Sequence, residues 1–123
     1  MPFFRAHAHI DTKYREPWTF SKELFSQIKD VIQLRYQLLP YLFNEFKLHR
    51  ETGQPVLSPM WYKFSADPKC LSIEDQFMFG GSILVKALTD EKDDQVYLPI
   101  GDGKDLWVNL QGITVQQIEL EPY

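Results

Sequence analysis

The sequence contains a single cysteine, Cys70, so it cannot form an internal disulfide. Its cysteine and histidines also lack the spacing of a zinc finger. No apolar run approaches the roughly 20 residues that a membrane-spanning helix needs. The formal net charge is −4 and the lysines and arginines are scattered, which leaves no basic surface for nucleic acid. We therefore expect no membrane span and no nucleic-acid partner.

The start of the chain also lacks the features of a signal peptide. Met1 is followed directly by "PFFRAH", without a charged leader or a secretory apolar region. We expect the chain to begin inside a structural element. What the composition does provide is 44% hydrophobic and 15% aromatic residues over 123 positions, which is enough for the core of one modest domain. Disorder of the whole chain is therefore not expected.

The first element is predicted to be a β-strand over residues 3–10, because polar and apolar positions alternate with period two. Arg5, His7 and His9 share one face of this strand, and small or apolar residues occupy the other. The following segment reads as a loop, because Pro17 biases the residue before it away from helical angles.

Two helices are predicted next, over residues 21–38 and 40–51. Ser21 can cap the first helix, and apolar residues then recur at helical spacing. Pro40 interrupts this pattern but is tolerated in the first turn of a helix, so we expect a kink or short break before it. Gly53 provides the stop signal.

From residue 55 the pattern changes to short apolar and aromatic runs typical of strands. One pair of runs surrounds Gly80 and Gly81, and a second pair flanks the hairpin signal "GDGK" at 101–104. The segment 113–120 is one more candidate strand, and residues 90–95 form an exposed acidic loop. Because helices precede strands, we place a domain boundary near residue 58.

The chemistry of the polar strand face stays open on spacing alone. His7 and His9 have a spacing found in metal sites, but no third ligand supports it, so hydrogen bonding to a substrate or burial against backbone carbonyls are the other interpretations. Arg5 could clamp a carboxylate or pair with a buried acid. Glu16 is expected to form an ion pair beside Arg15. Four aromatic residues could stack on sugar rings, although such residues more often lie in the core: Trp18, Trp61, Tyr62 and Trp107.

Several separated segments resemble glycoside hydrolase family 31, and within it the neutral α-glucosidase branch of the endoplasmic reticulum. The opening "PFFRAHAHIDT" at 2–12 and "REPW" at 15–18 carry the resemblance, which runs in register to about residue 108. The later segments are "LRYQLLPYLFNEF", "TGQPVLSPMW", "EDQFMFGGSILV" and "VYLP". Several segments in order are more specific than one motif. The tail at 109–123 resembles the family poorly.

The resemblance implies that residues 1–57 are the terminal strand and helices of a (β/α)8 TIM barrel. Residues 58–123 would begin the proximal C-terminal β-sandwich domain. Barrel strands present site residues at their C-terminal ends, and the family equivalent of His7 contacts glucose. We therefore expect His7 to bind substrate, with Arg5 and His9 as possible support for the site.

The family catalyses retaining hydrolysis of α-glucosidic bonds with two aspartates. Both would lie upstream of residue 1, so this chain is expected to hold no catalytic residue and to be inactive alone. The resemblance further implies an α-glucoside or N-glycan substrate, no cofactor or metal, a possible non-catalytic β subunit and location in the endoplasmic reticulum lumen. The alternatives are a non-catalytic carbohydrate-binding or scaffold module and an unrelated His-x-His metal-binding domain.

Overall fold

A computed structural model describes residues 5–88, 95–99 and 107–110 of the chain. It divides into two compact units. The first contains Met1–Val56 and Phe79–Ser82, and the second contains Leu57–Met78 and Ile83–Tyr123. Helices dominate the first unit, and short strands and turns dominate the second.

Helix α1 spans Lys22–Gln37 and begins at the predicted cap. The Ser21 hydroxyl accepts the Leu24 N–H at 3.2 Å, which satisfies one of the free amide groups of the first turn. Glu23 in that turn and Arg35 in the last turn have the charges that the helix dipole favours at each end. The prediction of a helix over residues 21–38 is confirmed to within a residue at each end.

Helix α2 spans Leu39–Thr52 and follows α1 after one residue, Leu38, which caps both helices. Pro40 lies in the first turn of α2, where its missing N–H costs no helical hydrogen bond. Gly53 ends the helix in the left-handed conformation, with φ 77°, and its N–H donates to the His49 carbonyl. The predicted break and stop are both confirmed.

The apolar residues of the two helices remain accessible to solvent. Within the described residues, neither α1 nor α2 contains a buried side chain. Tyr36, Phe43 and Phe46 are 68%, 72% and 55% exposed. The apolar residues whose periodicity predicted these helices therefore remain largely exposed among the described residues.

The predicted strand over residues 3–10 is not formed in the part that the structure describes. Residues 5–9 have no regular secondary structure, and Ile10 begins a turn. Alternation alone does not make a strand, because a strand needs the hydrogen bonds of a neighbouring backbone. No described segment forms a ladder with residues 5–9.

The second unit is built around a three-stranded sheet in the order β1-β2-β3. Strand β1 is Leu57–Pro59, β2 is Gln76–Phe79 and β3 is Ile83–Lys86. A short helix, α3, follows β1 at Met60–Lys63, and 3-10 helices occupy Pro17–Thr19 and Pro68–Leu71. The two apolar runs predicted around Gly80 and Gly81 are the hairpin strands β2 and β3, which confirms that part of the strand prediction.

The core of the second unit contains Met60, Phe64, Cys70 and Met78, which are at most 8% exposed. The partly buried residues that pack against this cluster are Ile73, Leu84, Tyr97 and Trp107. The flexible side chains of Met60 and Met78 adapt to irregular gaps, which suits a core formed by short elements.

Residues 95–99 reach this core without forming a strand. The buried Gln76 amide donates to the Tyr97 carbonyl and accepts the Tyr97 N–H, both at 2.8 Å. The side chain thus satisfies both backbone groups of Tyr97 without a neighbouring strand. Residues 107–109 also lack strand structure, so the strands predicted on either side of 101–104 are not found in the described positions.

The hairpin turn at 101–104, the acidic residues 90–94 and the candidate strand at 113–120 lie outside the described residues. None of the described helices is long and apolar enough to cross a membrane.

Candidate functional site

The polar segment at residues 5–16 reverses direction through a turn at residues 9–12. The Thr12 N–H donates to the His9 carbonyl at 3.0 Å. The His9 Nδ1 atom lies 3.2 Å from the Asp11 carboxylate and 3.4 Å from the Asp11 backbone nitrogen. Both side chains are more than three-quarters exposed, so this pair contributes little to stability and mainly orients the His9 ring.

A second contact closes the loop that this turn begins. The Arg15 guanidinium donates from Nη2 to the backbone carbonyl of His7 at 2.7 Å. Such a bond from a charged donor is stronger than a neutral one. It joins residues on the two sides of the turn and restrains the backbone that carries the His7 ring.

The predicted site residues are only partly brought together. His7 is exposed, and its ring makes no hydrogen bond to any residue that the structure describes. Arg5 is also exposed, and in residues 5–88, 95–99 and 107–110 it meets no acidic partner. The expectation that Arg5 pairs with a buried acid is therefore not met within these residues. The interaction that the structure does show at His7 is the hydrogen bond from the Arg15 guanidinium to the His7 backbone carbonyl.

Glu16 does not form the predicted ion pair, because Arg15 binds the His7 carbonyl instead. The backbone carbonyl of Glu16 accepts the N–H and the hydroxyl of Thr19, at 2.9 and 2.7 Å, and so anchors the 3-10 helix. Its carboxylate oxygen Oε2 is buried and has no hydrogen-bond partner among the described residues. A buried oxygen without a hydrogen-bond donor is energetically unfavourable and is uncommon in folded proteins.

The His-x-His pair receives no support as a metal site. Within the described part of the chain, no three His, Cys, Asp or Glu side chains converge as ligands for a metal ion would. The acidic neighbour of His9 is Asp11, and this pair alone provides fewer ligands than a metal site normally has.

A second candidate site is an open groove of about 600 Å³ in the second unit. Its lining is mostly apolar, with Trp61 and Glu74 as the groups that could stack on or hydrogen-bond to a sugar. Trp61 is 48% exposed. The residues that line the groove are Leu57, Ser58, Pro59, Trp61, Leu71, Ile73, Glu74, Gln76 and Phe77.

Sequence reasoning did not identify the role of Arg15 or the groove. The position of Arg15 near His7 could have been predicted, because Asp11 and Thr12 favour a turn that reverses the chain. The groove had no such signal, because β1, the Pro68–Leu71 helix and β2 contribute its residues from separate parts of the sequence.

Comparison with known proteins identifies the family. Residues 1–45 match the glycosyl hydrolases family 31 TIM-barrel domain. Residues 53–122 match the glycosyl hydrolase family 31 C-terminal domain. The second match extends to residue 122 and so includes most of the tail that was expected to resemble the family poorly.

Similar proteins include α-glucosidases from plants and animals. The chain is 41% identical over 112 residues to a probable glucan 1,3-alpha-glucosidase of Oryza sativa subsp. japonica. It is 40% identical over 112 residues to neutral alpha-glucosidase AB of Mus musculus. Each alignment covers 89% of this chain, and the chain spans about 12% of the length of these curated relatives.

A solved structure of the ER glucosidase II heterodimeric complex, comprising the catalytic subunit and the binding domain of the regulatory subunit, is also similar. Its TM-score is 0.68 at 39% identity, and the match covers 74% of this chain and 10% of that one. The chain therefore belongs to glycosyl hydrolase family 31, in which it corresponds to the end of the TIM-barrel domain followed by the C-terminal domain.

Proposed function

We propose that this chain forms part of a retaining α-glucosidase and that His7 binds the glucose residue whose bond is cleaved. The observation that carries the proposal is the order of the two family domains along one chain, together with about 40% identity to neutral alpha-glucosidase AB. The similarity to glucosidase II supports N-glycans as the substrate, from which the enzyme would remove glucose.

The side chain of His7 suits a binding role. A neutral imidazole can donate one hydrogen bond and accept another, which matches the hydroxyl groups of a sugar. The ring is exposed and unbound within the described residues, so its donor and acceptor are available. Restraint of the His7 carbonyl by Arg15 limits the entropy lost when the ring engages a ligand.

The reacting groups would come from protein outside this sequence. Retaining hydrolysis needs two carboxyl groups about 5 Å apart, one as nucleophile and one as acid and base. We assign neither role to a residue of this chain. The chain would contribute substrate contacts, and the barrel and sandwich portions would divide at residues 57 and 58.

The proposal extends to a partner and a location. A non-catalytic β subunit would bind the complete enzyme, as the regulatory subunit does in the glucosidase II complex. The enzyme would then act in the endoplasmic reticulum lumen. Arg5 and His9 would support the site, Arg5 from behind and His9 from the adjacent turn.

The test is a chimeric enzyme. In neutral alpha-glucosidase AB of Mus musculus, this chain replaces the segment aligned with it, and kcat/KM is measured on a chromogenic α-glucoside. His7→Ala is expected to lower kcat/KM by about tenfold or more, because interactions with the substrate are lost. His49→Ala is the matched control, since His49 lies in the last turn of α2. Equal kcat/KM for both variants would contradict the role of His7.

A second candidate function, carbohydrate binding without hydrolysis, is favoured by the groove that contains Trp61 and Glu74. Its test is titration of the chain with maltose, with tryptophan fluorescence as the readout of binding. Trp61→Ala should abolish the change, whereas Trp18→Ala, which removes an exposed tryptophan of the first unit, should preserve it. Retained binding in Trp61→Ala would contradict this function. No described feature favours the metal-binding alternative, and we do not propose it.

A further inference from the structure

We infer that Arg15 is a positioning residue that holds His7 in the orientation needed to bind the sugar. This inference rests on the proposed function of His7 and adds a second residue to that site. It follows from the contact between the Arg15 guanidinium and the His7 backbone, and from the absence of any other described restraint on the His7 ring.

The loop geometry makes Arg15 the residue that closes the segment. The turn at His9–Thr12 reverses the chain, and the Nη2 atom of Arg15 then reaches back eight residues to the His7 carbonyl at 2.7 Å. In the described part of the chain no β-ladder restrains residues 5–9, and the Arg15 bond is the described contact that holds the His7 carbonyl.

A bond to the carbonyl limits the backbone conformation from which the His7 side chain projects. The peptide group is planar, so holding the His7 oxygen limits rotation of the plane that joins His7 to Ala8. The ψ angle of His7 is then restricted, and with it the direction in which its Cα–Cβ bond points. Arg15 can act in this way without touching the ligand.

Two neighbouring residues make the assignment specific to Arg15. Glu16 leaves its buried Oε2 without a partner among the described residues and so does not neutralise the guanidinium through that oxygen. Lys13 lies in the same loop, is exposed, and carries the same charge, but the structure gives it no contact with His7. A general effect of positive charge would be shared by Lys13, and a positioning effect would not.

The test uses the same chimeric enzyme and measures kcat and KM separately. Arg15→Ala should lower kcat/KM by about tenfold, the size expected for loss of one hydrogen bond to a charged donor. Arg15→Lys retains a charged donor on a side chain of different length, so its kcat/KM should lie between those of Arg15→Ala and the unsubstituted chimera. Lys13→Ala should match the unsubstituted chimera.

The double variant separates positioning from a purely structural role. In the His7→Ala background, Arg15→Ala should change kcat/KM by less than about twofold, because the ring it positions is gone. A full tenfold loss in that background would overturn the inference, as would unchanged kcat/KM in Arg15→Ala when His7→Ala is impaired. If His7→Ala retains full activity, or if the unsubstituted chimera is inactive, the proposed function itself fails and the inference fails with it.

Discussion

The hydroxyl of Tyr41 in α2 donates a 2.9 Å hydrogen bond to the carbonyl of Phe79 at the end of β2. The two rings also meet edge to face, with centroids 5.5 Å apart and planes at 82°. The same hydroxyl accepts the N–H of Ser82 at 3.1 Å. One side chain therefore satisfies two backbone groups of the β2–β3 turn, which belongs to the same compact unit as the helices.

Tyr41→Phe should lower the free energy of unfolding by about 1–3 kcal/mol, because the partly buried Phe79 carbonyl and the exposed Ser82 N–H both lose their partner. Urea unfolding followed by circular dichroism measures the loss. Tyr36→Phe is the control, since Tyr36 is 68% exposed. Equal stability of the two variants would contradict the role assigned to the Tyr41 hydroxyl.

Gly80→Ala should be more destabilising than Gly53→Ala. Both glycines have positive φ, 64° at Gly80 and 77° at Gly53, which costs an alanine about 1 kcal/mol at either position. A Cβ at residue 80 would in addition meet the Tyr41 hydroxyl and lie 2.6 Å from Glu45 Cγ, whereas one at residue 53 meets nothing within 4 Å. The measurement is the difference in unfolding free energy between the two variants, and a difference of zero would show that the turn can shift without cost.

Gln76→Leu should cost about 2–3 kcal/mol of unfolding free energy, because the N–H and carbonyl of Tyr97 both lose their partner in the core. Chemical denaturation with near-ultraviolet circular dichroism reports the loss of this packing. Gln33→Leu makes the same change at an exposed position of α1 and should be nearly neutral. Comparable losses at both positions would mean that the Gln76 amide is not what holds residues 95–99.

The stability should fall at alkaline pH because of Cys70. Burial, and then the nearby Asp67 carboxylate, raise the pKa of its thiol from 9.0 to about 11. Since the folded state favours the neutral thiol, the resulting stability is complete below about pH 9 and is lost as the pH rises through about 11.

The wild type should accordingly lose unfolding free energy relative to Cys70→Ala between these two pH values. The comparison cancels the titration of the other groups, because both proteins contain them. A constant difference from about pH 8 to about pH 11 would contradict the raised pKa.

The exposed helix faces should make the purified chain associate and bind a hydrophobic dye. Phe43 and Phe46 present large apolar surfaces on α2, and such surfaces drive association in water. Replacing both by serine should reduce dye binding and aggregate size in light scattering. Leu88→Ser removes a 72% exposed residue outside the helices and should change little. A monomeric wild type that does not bind the dye would refute this expectation.

The bounds of the two helices could be predicted from short segments of sequence. Ser21, Pro40 and Gly53 act through hydrogen bonds and φ angles of their immediate neighbours, so the bounds of α1 and α2 could be predicted to within one or two residues. The hairpin at Gly80 could be predicted for the same reason, because its turn needs a positive φ.

Local signals could not determine whether residues 3–10 form a strand. Their alternation is a local property, but a strand depends on a backbone that pairs with it, and no described segment does so. The contact between Arg15 and the His7 carbonyl was likewise not predicted, because it depends on the turn at residues 9–12 that brings residue 15 back beside residue 7.

By itself, the sequence determined where the helices begin and end, where the β2–β3 hairpin turns, and which family the separated segments resemble, since each depends on residues close together or on identities in register. Only the tertiary structure decided that Gln76 binds both backbone groups of Tyr97 and that Tyr41 binds the turn 38 residues away. Those contacts join positions that local patterns do not relate, because the free energy of a hydrogen bond depends on distance in space and not along the chain.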